Sequence, residues 1–197
     1  MQKRLVLLTA GLLAVFVTVL PLSAFACGQE RWDVKTGTDL DAKLVDPSVI
    51  HNTRIAAMRS WPAPNHPPSK NRVAPYETQV WTVNPTLKAY ALEKDSDYHL
   101  VLADQSGNTI IAEIPAPNCV GPTSPFAEEI AHARKVFDEK LQASPTFQNV
   151  SIPVRVTGVG FFDFHHGQNG VAPNAIELHP VLDIIFNPSG NQPHLMQ

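Results

Sequence analysis

Hydrophobic and polar positions follow three successive rhythms from the start of this chain to its strand-rich part. Residues 5–20 are apolar without a charge. Residues 27–76 show no sustained period. From Glu77 onward the text alternates with the period of two expected of half-buried strands.

"ETQVWTV" and "TLKAYAL" flank Asn84-Pro85, which predicts one long strand bent at the proline or two short ones. "YHLVLAD" sets Tyr98, Leu100 and Leu102 against His99, Val101 and Ala103. Ser106-Gly107-Asn108 then signals a turn into "TIIAEI" as the hairpin partner.

A helix follows. Ser124 is the N-cap candidate, Pro125 suits the first helical position, and Glu128 and Glu129 suit the positive end of the helix dipole. Phe126, Ile130, Ala133, Phe137 and Leu141 recur at steps of three and four as one apolar stripe, and Pro145 closes the segment. "PVRVTGVGFF" and "AIELHPVLDIIF" read as two more strands, with Ile176, Leu178, Leu182, Ile184 and Phe186 on one core-facing parity.

This order, β-β-β-α-β-β, predicts a mainly β protein with one helix. The expected architecture is an OB-fold-like five-stranded barrel over residues 77–187, with the helix plugging one end. A generic α+β sheet with one covering helix is the rival. Residues 27–76 form an irregular N-terminal extension. Within it, 46–60 carries a short helix with Ile50, Ile55 and Met58 near helical spacing. The five prolines of 61–76 make an extended connector that wraps over a surface. Residues 188–197 are a C-terminal tail.

The first residues set the expected compartment. Lys3 and Arg4, the apolar run to Leu20 and the small-x-small Ala24-Phe25-Ala26 read as a signal peptide, 1–26, cut after Ala26. An apolar run of 16 residues is short of the roughly 20 that span a bilayer. The expected location is periplasmic or extracellular. The lipoprotein alternative has Cys27 acylated as first mature residue, although Ala24 and Phe25 match the required pattern poorly. In an oxidising compartment Cys27 and Cys119 are most simply one disulfide; two free thiols, or an acylated Cys27, are the other readings.

Losing Lys3 and Arg4 leaves 13 basic against 18 acidic residues, a balance of about −5. Non-specific nucleic-acid binding draws on a basic surface, so this charge argues against that partner. No Gly-x-Ser-x-Gly elbow, phosphate-binding glycine loop or dinucleotide fingerprint occurs. "DLDAKLVD" at 39–46 lacks the glycine and glutamate of a calcium-binding loop.

"ERWDVKTGTD", "EKDSDYHLVLAD", "IIAEIPAPNC" and "VTGVGFFDFHHGQNGVAPNAIELHPVL" together resemble a group of uncharacterised exported bacterial proteins. The resemblance covers most of the mature chain. It implies export, one domain and the cysteine pair, and carries no activity.

In an OB barrel the loop between the first two strands and the loop between the last two flank the usual ligand face. Here these are Glu93–Asp97, running into Tyr98-His99, and Asp163–Gly170. Glu177 and His179 share the polar parity of the last strand. The expectation is that His99, His166, Glu177 and His179 converge beside Asp95, Asp97 and Gln168. The first four form a candidate set for a divalent metal such as zinc. His165 and His166 are adjacent and would point apart on a strand. Each of these residues also has an ordinary structural use: Asp95, Ser96 and Asp97 suit turns, Asn169-Gly170 suits a tight turn, and Gly158 and Gly160 suit a bulge.

The leading expectation is a binding or interaction module for a small molecule, saccharide or protein partner, with Trp81, Tyr90 and Tyr98 as candidate stacking surfaces. A metal-dependent hydrolase acting on phosphodiesters and a structural envelope protein are the alternatives. Whether any chemistry occurs is left open by the sequence.

Overall fold

The computed structural model describes residues 27–189. The expected signal peptide, 1–26, and most of the expected tail lie outside them. Seven strands form one sheet: β1 (Ile50–Asn52), β2 (Val80–Val83), β3 (Thr86–Leu92), β4 (Tyr98–Ala103), β5 (Thr109–Ile114), β6 (Gln148–Phe162) and β7 (Ile176–Phe186). Three α-helices accompany them: α1 (Trp32–Thr36), α2 (Ile55–Met58) and α3 (Ala127–Asp138). The order across the sheet is β1-β2-β6-β3-β4-β5-β7, and β6 also pairs with β7. No helix among the described residues is long and apolar enough to cross a membrane.

Local chemistry accounts for these elements. Asn84-Pro85 divides β2 from β3, because proline offers no ladder donor. The turn after β4 closes through Asp104, whose carboxylate accepts the N–H groups of Ser106 and Asn108, while Gly107 takes the positive φ that the turn needs. The β6–β7 ladder shifts register around Gly158 and Gly160. A Cβ on Gly158 would stand 2.7 Å from the carbonyl oxygen of Pro180, and one on Gly160 would collide with the Tyr76 backbone. These glycines serve close backbone approach at a bulge.

The main core gathers Leu87, Leu100, Leu102, Ile110, Ile114, Phe162, Ile176, Leu178 and Ile184 from β3 to β7. Helix α3 spans two clusters. Ala133 and Phe137 close the main core, while Phe126 and Ile130 pack with Val45, Val80, Val159 and Leu182.

Several details depart from the sequence reading. The sheet has seven strands rather than five, because the first expected strand splits at Asn84-Pro85 into β2 and β3, as one sequence reading allowed, and β1 pairs parallel with β2. Ile50 belongs to β1 and is exposed, so only Ile55 and Met58 of the expected short helix are helical and buried. Helix α3 begins two residues late. The Ser124 hydroxyl donates to the Thr36 carbonyl and accepts the Phe126 N–H, closing a turn ahead of the helix.

The N-terminal extension is bound into the domain rather than draped on it. Arg31 is buried and all of its guanidinium nitrogens are engaged. Nη1 and Nη2 reach Glu77 at 2.8 and 2.9 Å, and the remaining bonds go to the carbonyls of Pro68, Asn71 and Phe162. Glu77 in turn accepts the N–H groups of Val73 and Phe162. Arg72 repeats the theme with Asp39 at 2.6 Å. Cys27 and Cys119 form a disulfide that ties the start of the described chain to the segment before α3.

Candidate functional site

Strand register builds the site. In the β4–β5 hairpin His99 stands directly opposite Glu113. Strands β5 and β7 run parallel with Ile111 opposite Glu177, which carries Glu113 alongside His179. Both histidines therefore meet one carboxylate: Glu113 Oε1 lies 3.2 Å from His99 Nδ1, and Oε2 lies 2.9 Å from His179 Nδ1.

Further carboxylates close in. Glu93 Oε1 is 3.0 Å from His99 Nδ1. Glu177 Oε1 is 3.3 Å from His179 Nδ1, and Asp97 Oδ2 is 3.4 Å from His179 Nε2. The ring of His99 is held from the other side, where Nε2 meets the Asn169 carbonyl at 2.8 Å, and the edge of Phe147 packs against it. The 163–170 loop thus reaches the cluster through its backbone. Lys35 of α1 completes the charge, 3.6 Å from Asp163.

Burial makes these contacts strong and the protonation unusual. His99 is buried, which alone would lower its pKa, but the carboxylates of Glu113 and Glu93 beside Nδ1 push it up to about 10. His179 is held well above its ordinary value, since Glu113, Asp97 and Glu177 outweigh burial. Burial and the charge of Glu113 raise Glu177 to about 7. Burial would raise Glu113 as well, but the two histidines and Lys35 hold it well below the usual carboxylate range. Asp95 is raised by burial and by the charges of Asp97 and Glu113. Burial would depress Lys35; Glu177, Glu113, Asp163 and Asp97 raise it instead.

Four buried atoms here make no hydrogen bond: Asp97 Oδ2, His99 Nδ1, Asp163 Oδ1 and His179 Nε2. Each leaves polar capacity unused in a dry setting, which is costly unless something else occupies it.

A cavity of about 390 Å³ opens over this cluster. Glu93, Asp95 and Glu113 line it from the β3–β4 and β5 side, Asp163, His166 and Gln168 from the β6–β7 loop, and Trp32 and Lys35 from α1.

His99, Glu177, His179 and Asp97 therefore sit in one contact chain through Glu113, while Asp95, His166 and Gln168 border the cavity above it. The four-residue metal set expected from sequence is not assembled as such. Two groups have ligand atoms within 4.8 Å of one another, Glu93/His99/Glu113 and Asp97/Glu113/His179, and neither includes His166 or Glu177. His166 is mostly exposed, 3.8 Å from Asp163, because Gly167 turns the chain toward solvent at that point. Gln168 bonds the Phe164 carbonyl and the His166 N–H, fixing its own loop. The polar parity of β7 does not face an open surface. Glu177 and His179 are buried, because the cluster and the N-terminal segment cover that face.

The expected aromatic platforms lie elsewhere. Trp81 packs with Trp61 and His51, Tyr90 is buried with its hydroxyl on Gln148, and Tyr98 stacks on Arg134. Trp32 is the aromatic at the cavity.

Sequence reasoning overlooked Glu113 and Lys35. The signal for Glu113 was present: a hairpin closed at Ser106-Gly107-Asn108 pairs His99 with it. Nothing in the local text of α1 announces Lys35. No family model matches this chain, and no curated protein matches it significantly.

Proposed function

We propose that this chain is an exported binding module built on an OB-type barrel, whose cavity takes a small hydroxyl-rich ligand of saccharide type, neutral or amine-bearing. The circuit of pairings β3–β4–β5–β7–β6–β3, with α3 between β5 and β6 along the chain, supports the barrel. The disulfide and the N-terminal sequence pattern support export.

The carrying observation is the position and lining of the 390 Å³ cavity. It lies between the two loops that flank the ligand face of OB barrels, and its volume suits a small molecule. Glu30, Glu93, Asp95, Glu113 and Asp163 line it against Lys35 and Lys94. Lys35 is already paired with Asp163, so an anion would meet net repulsion. Carboxylates and the Gln168 amide accept and donate to hydroxyls, and Trp32 offers an apolar face to a sugar ring.

A glycan array followed by calorimetry tests this. Binding should fall among neutral and amino sugars, and Trp32→Ala should weaken it at least tenfold. Binding confined to phosphorylated or uronic sugars, or none at all, discards the ligand class. One observation favours a second reading, a metal-dependent phosphodiesterase: the group around Glu113 at the cavity floor combines imidazole with carboxylates. Turnover of bis(p-nitrophenyl) phosphate that depends on added metal would favour it.

A further inference from the structure

We infer that Glu93, His99 and Glu113 form a divalent-cation site at the floor of the cavity, of the kind that takes zinc. Their ligand atoms lie within 4.8 Å of one another. Glu93 Oε1 and Glu113 Oε1 stand 3.0 and 3.2 Å from His99 Nδ1. Donors bound to a tetrahedral zinc at about 2.0–2.2 Å are roughly 3.3 Å apart, a separation that both nitrogen–oxygen distances approach.

The second observation is independent of that spacing. His99 Nδ1 is buried and makes no hydrogen bond, although two carboxylate oxygens stand within reach. The oxygens flank the nitrogen without lying along a donor direction, as ligands around a shared ion do. The opposite nitrogen supplies the third point. Nε2 stands 2.8 Å from the Asn169 carbonyl, which accepts its proton, so that an ion displacing the Nδ1 proton meets the lone pair there. Metal-bound imidazoles are oriented in this way, by a carbonyl or carboxylate on the other nitrogen.

Glu113 is likewise braced, its second oxygen on His179 Nδ1 at 2.9 Å. Glu93 and Glu113 both border the cavity, and the Glu93 side chain is 38% exposed, so an ion has an entry path and an open position toward the cavity. The rival occupant is a proton: an imidazolium between the two glutamates would hold the same place.

The experiment uses the mature, disulfide-intact chain, stripped with chelator and titrated calorimetrically with zinc, with elemental analysis after dialysis. One zinc per chain should bind with a dissociation constant in the micromolar range or tighter. Glu93→Gln, at a half-exposed position where folding is not at stake, should weaken it at least tenfold, and His99→Ala should abolish it. His132→Ala, at an exposed histidine beside Asp183, should leave it unchanged. A wild-type chain that binds no zinc below about 1 mM, or binding lost in His132→Ala and kept in Glu93→Gln, overturns the site. Metal content is read without any sugar present, so this result stands apart from that of the glycan array.

Discussion

Arg31 and His99 are both basic side chains buried among carboxylates, and their surroundings differ in one respect. Around Arg31 every donor has an acceptor, and Glu77 meets the guanidinium with both oxygens while also taking two backbone N–H groups. Around His99 and His179 several carboxylates converge, yet Asp97 Oδ2, His99 Nδ1 and His179 Nε2 stay without hydrogen bonds. A buried ion pair holds a fold together when its remaining lone pairs and protons are satisfied. The clamp meets that condition and joins the N-terminal segment to β6 and the Pro-rich connector. The cluster does not meet it, and it lies beneath a cavity that Glu93, Glu113 and Asp163 border. Burial of charge therefore serves two ends in one small domain, and hydrogen-bond completeness separates them.

The disulfide gives the largest expected effect, because it tethers the segment that supplies Arg31 to one region and Lys35 to the other. Its cysteines are 92 residues apart. Opening a loop of that length frees the unfolded chain by about 4–5 kcal/mol in the entropy model, a fall in melting temperature on the order of 10 °C. Non-reducing peptide mapping should find the bridge, and calorimetry with and without reductant should show the fall. Free thiols in the purified chain would remove it.

Next is the clamp itself. Glu77→Ala leaves Arg31 buried and uncompensated and should cost about 3–5 kcal/mol in urea unfolding. Glu113→Gln keeps its shape and relieves crowding with Glu177, so it should cost under about half as much. Equal losses in the two variants would erase the distinction between clamp and cluster.

The sequence was most legible where one face of a strand is buried and the other polar. The β4–β5 hairpin, β7 and the α3 stripe followed from period and turn chemistry alone, since Gly107 and Asn84-Pro85 leave the backbone few choices. Three features were hidden. Strand β1 is three residues long, too short to show a period. Arg31, Lys35 and Arg72 look like surface residues in a polar stretch; only partners 33 to 131 residues away make them interior. The site histidines and acids could be named from two loops and one strand. Glu113 needed the hairpin register to be carried one step further, and His166 was misplaced because a Gly-flanked loop gives no parity to count.

The change that is smallest per step, a few °C per pH unit, and the sharpest test of the contrast, is the dependence of stability on pH. His99 is pushed up to about 10 and His179 well above its ordinary value, against about 6.5 in an unfolded chain. The folded protein therefore keeps protons that the unfolded chain has released. Stability from these groups is complete below about pH 6.5 and is lost as pH rises toward 10. Glu177, raised to about 7, acts in the same direction at lower pH, favouring the folded state while protonated and less as pH climbs from its unfolded value to 7. Glu113, held below the usual range, opposes it only in acid, where its stabilising charge is lost as pH falls. The melting temperature should therefore be highest on the acid side of neutrality. It should then decline by a few °C per pH unit up to pH 10, given about 1.4 kcal/mol per unit for each fully linked proton. His99→Gln should flatten part of that decline. Arg31→Lys should lower the melting temperature across the whole range and leave the slope unchanged, because its contacts do not depend on the cluster's protons. A wild-type melting temperature that is level from pH 6.5 to 9 in chelator would mean that the histidines carry no extra proton in the folded chain.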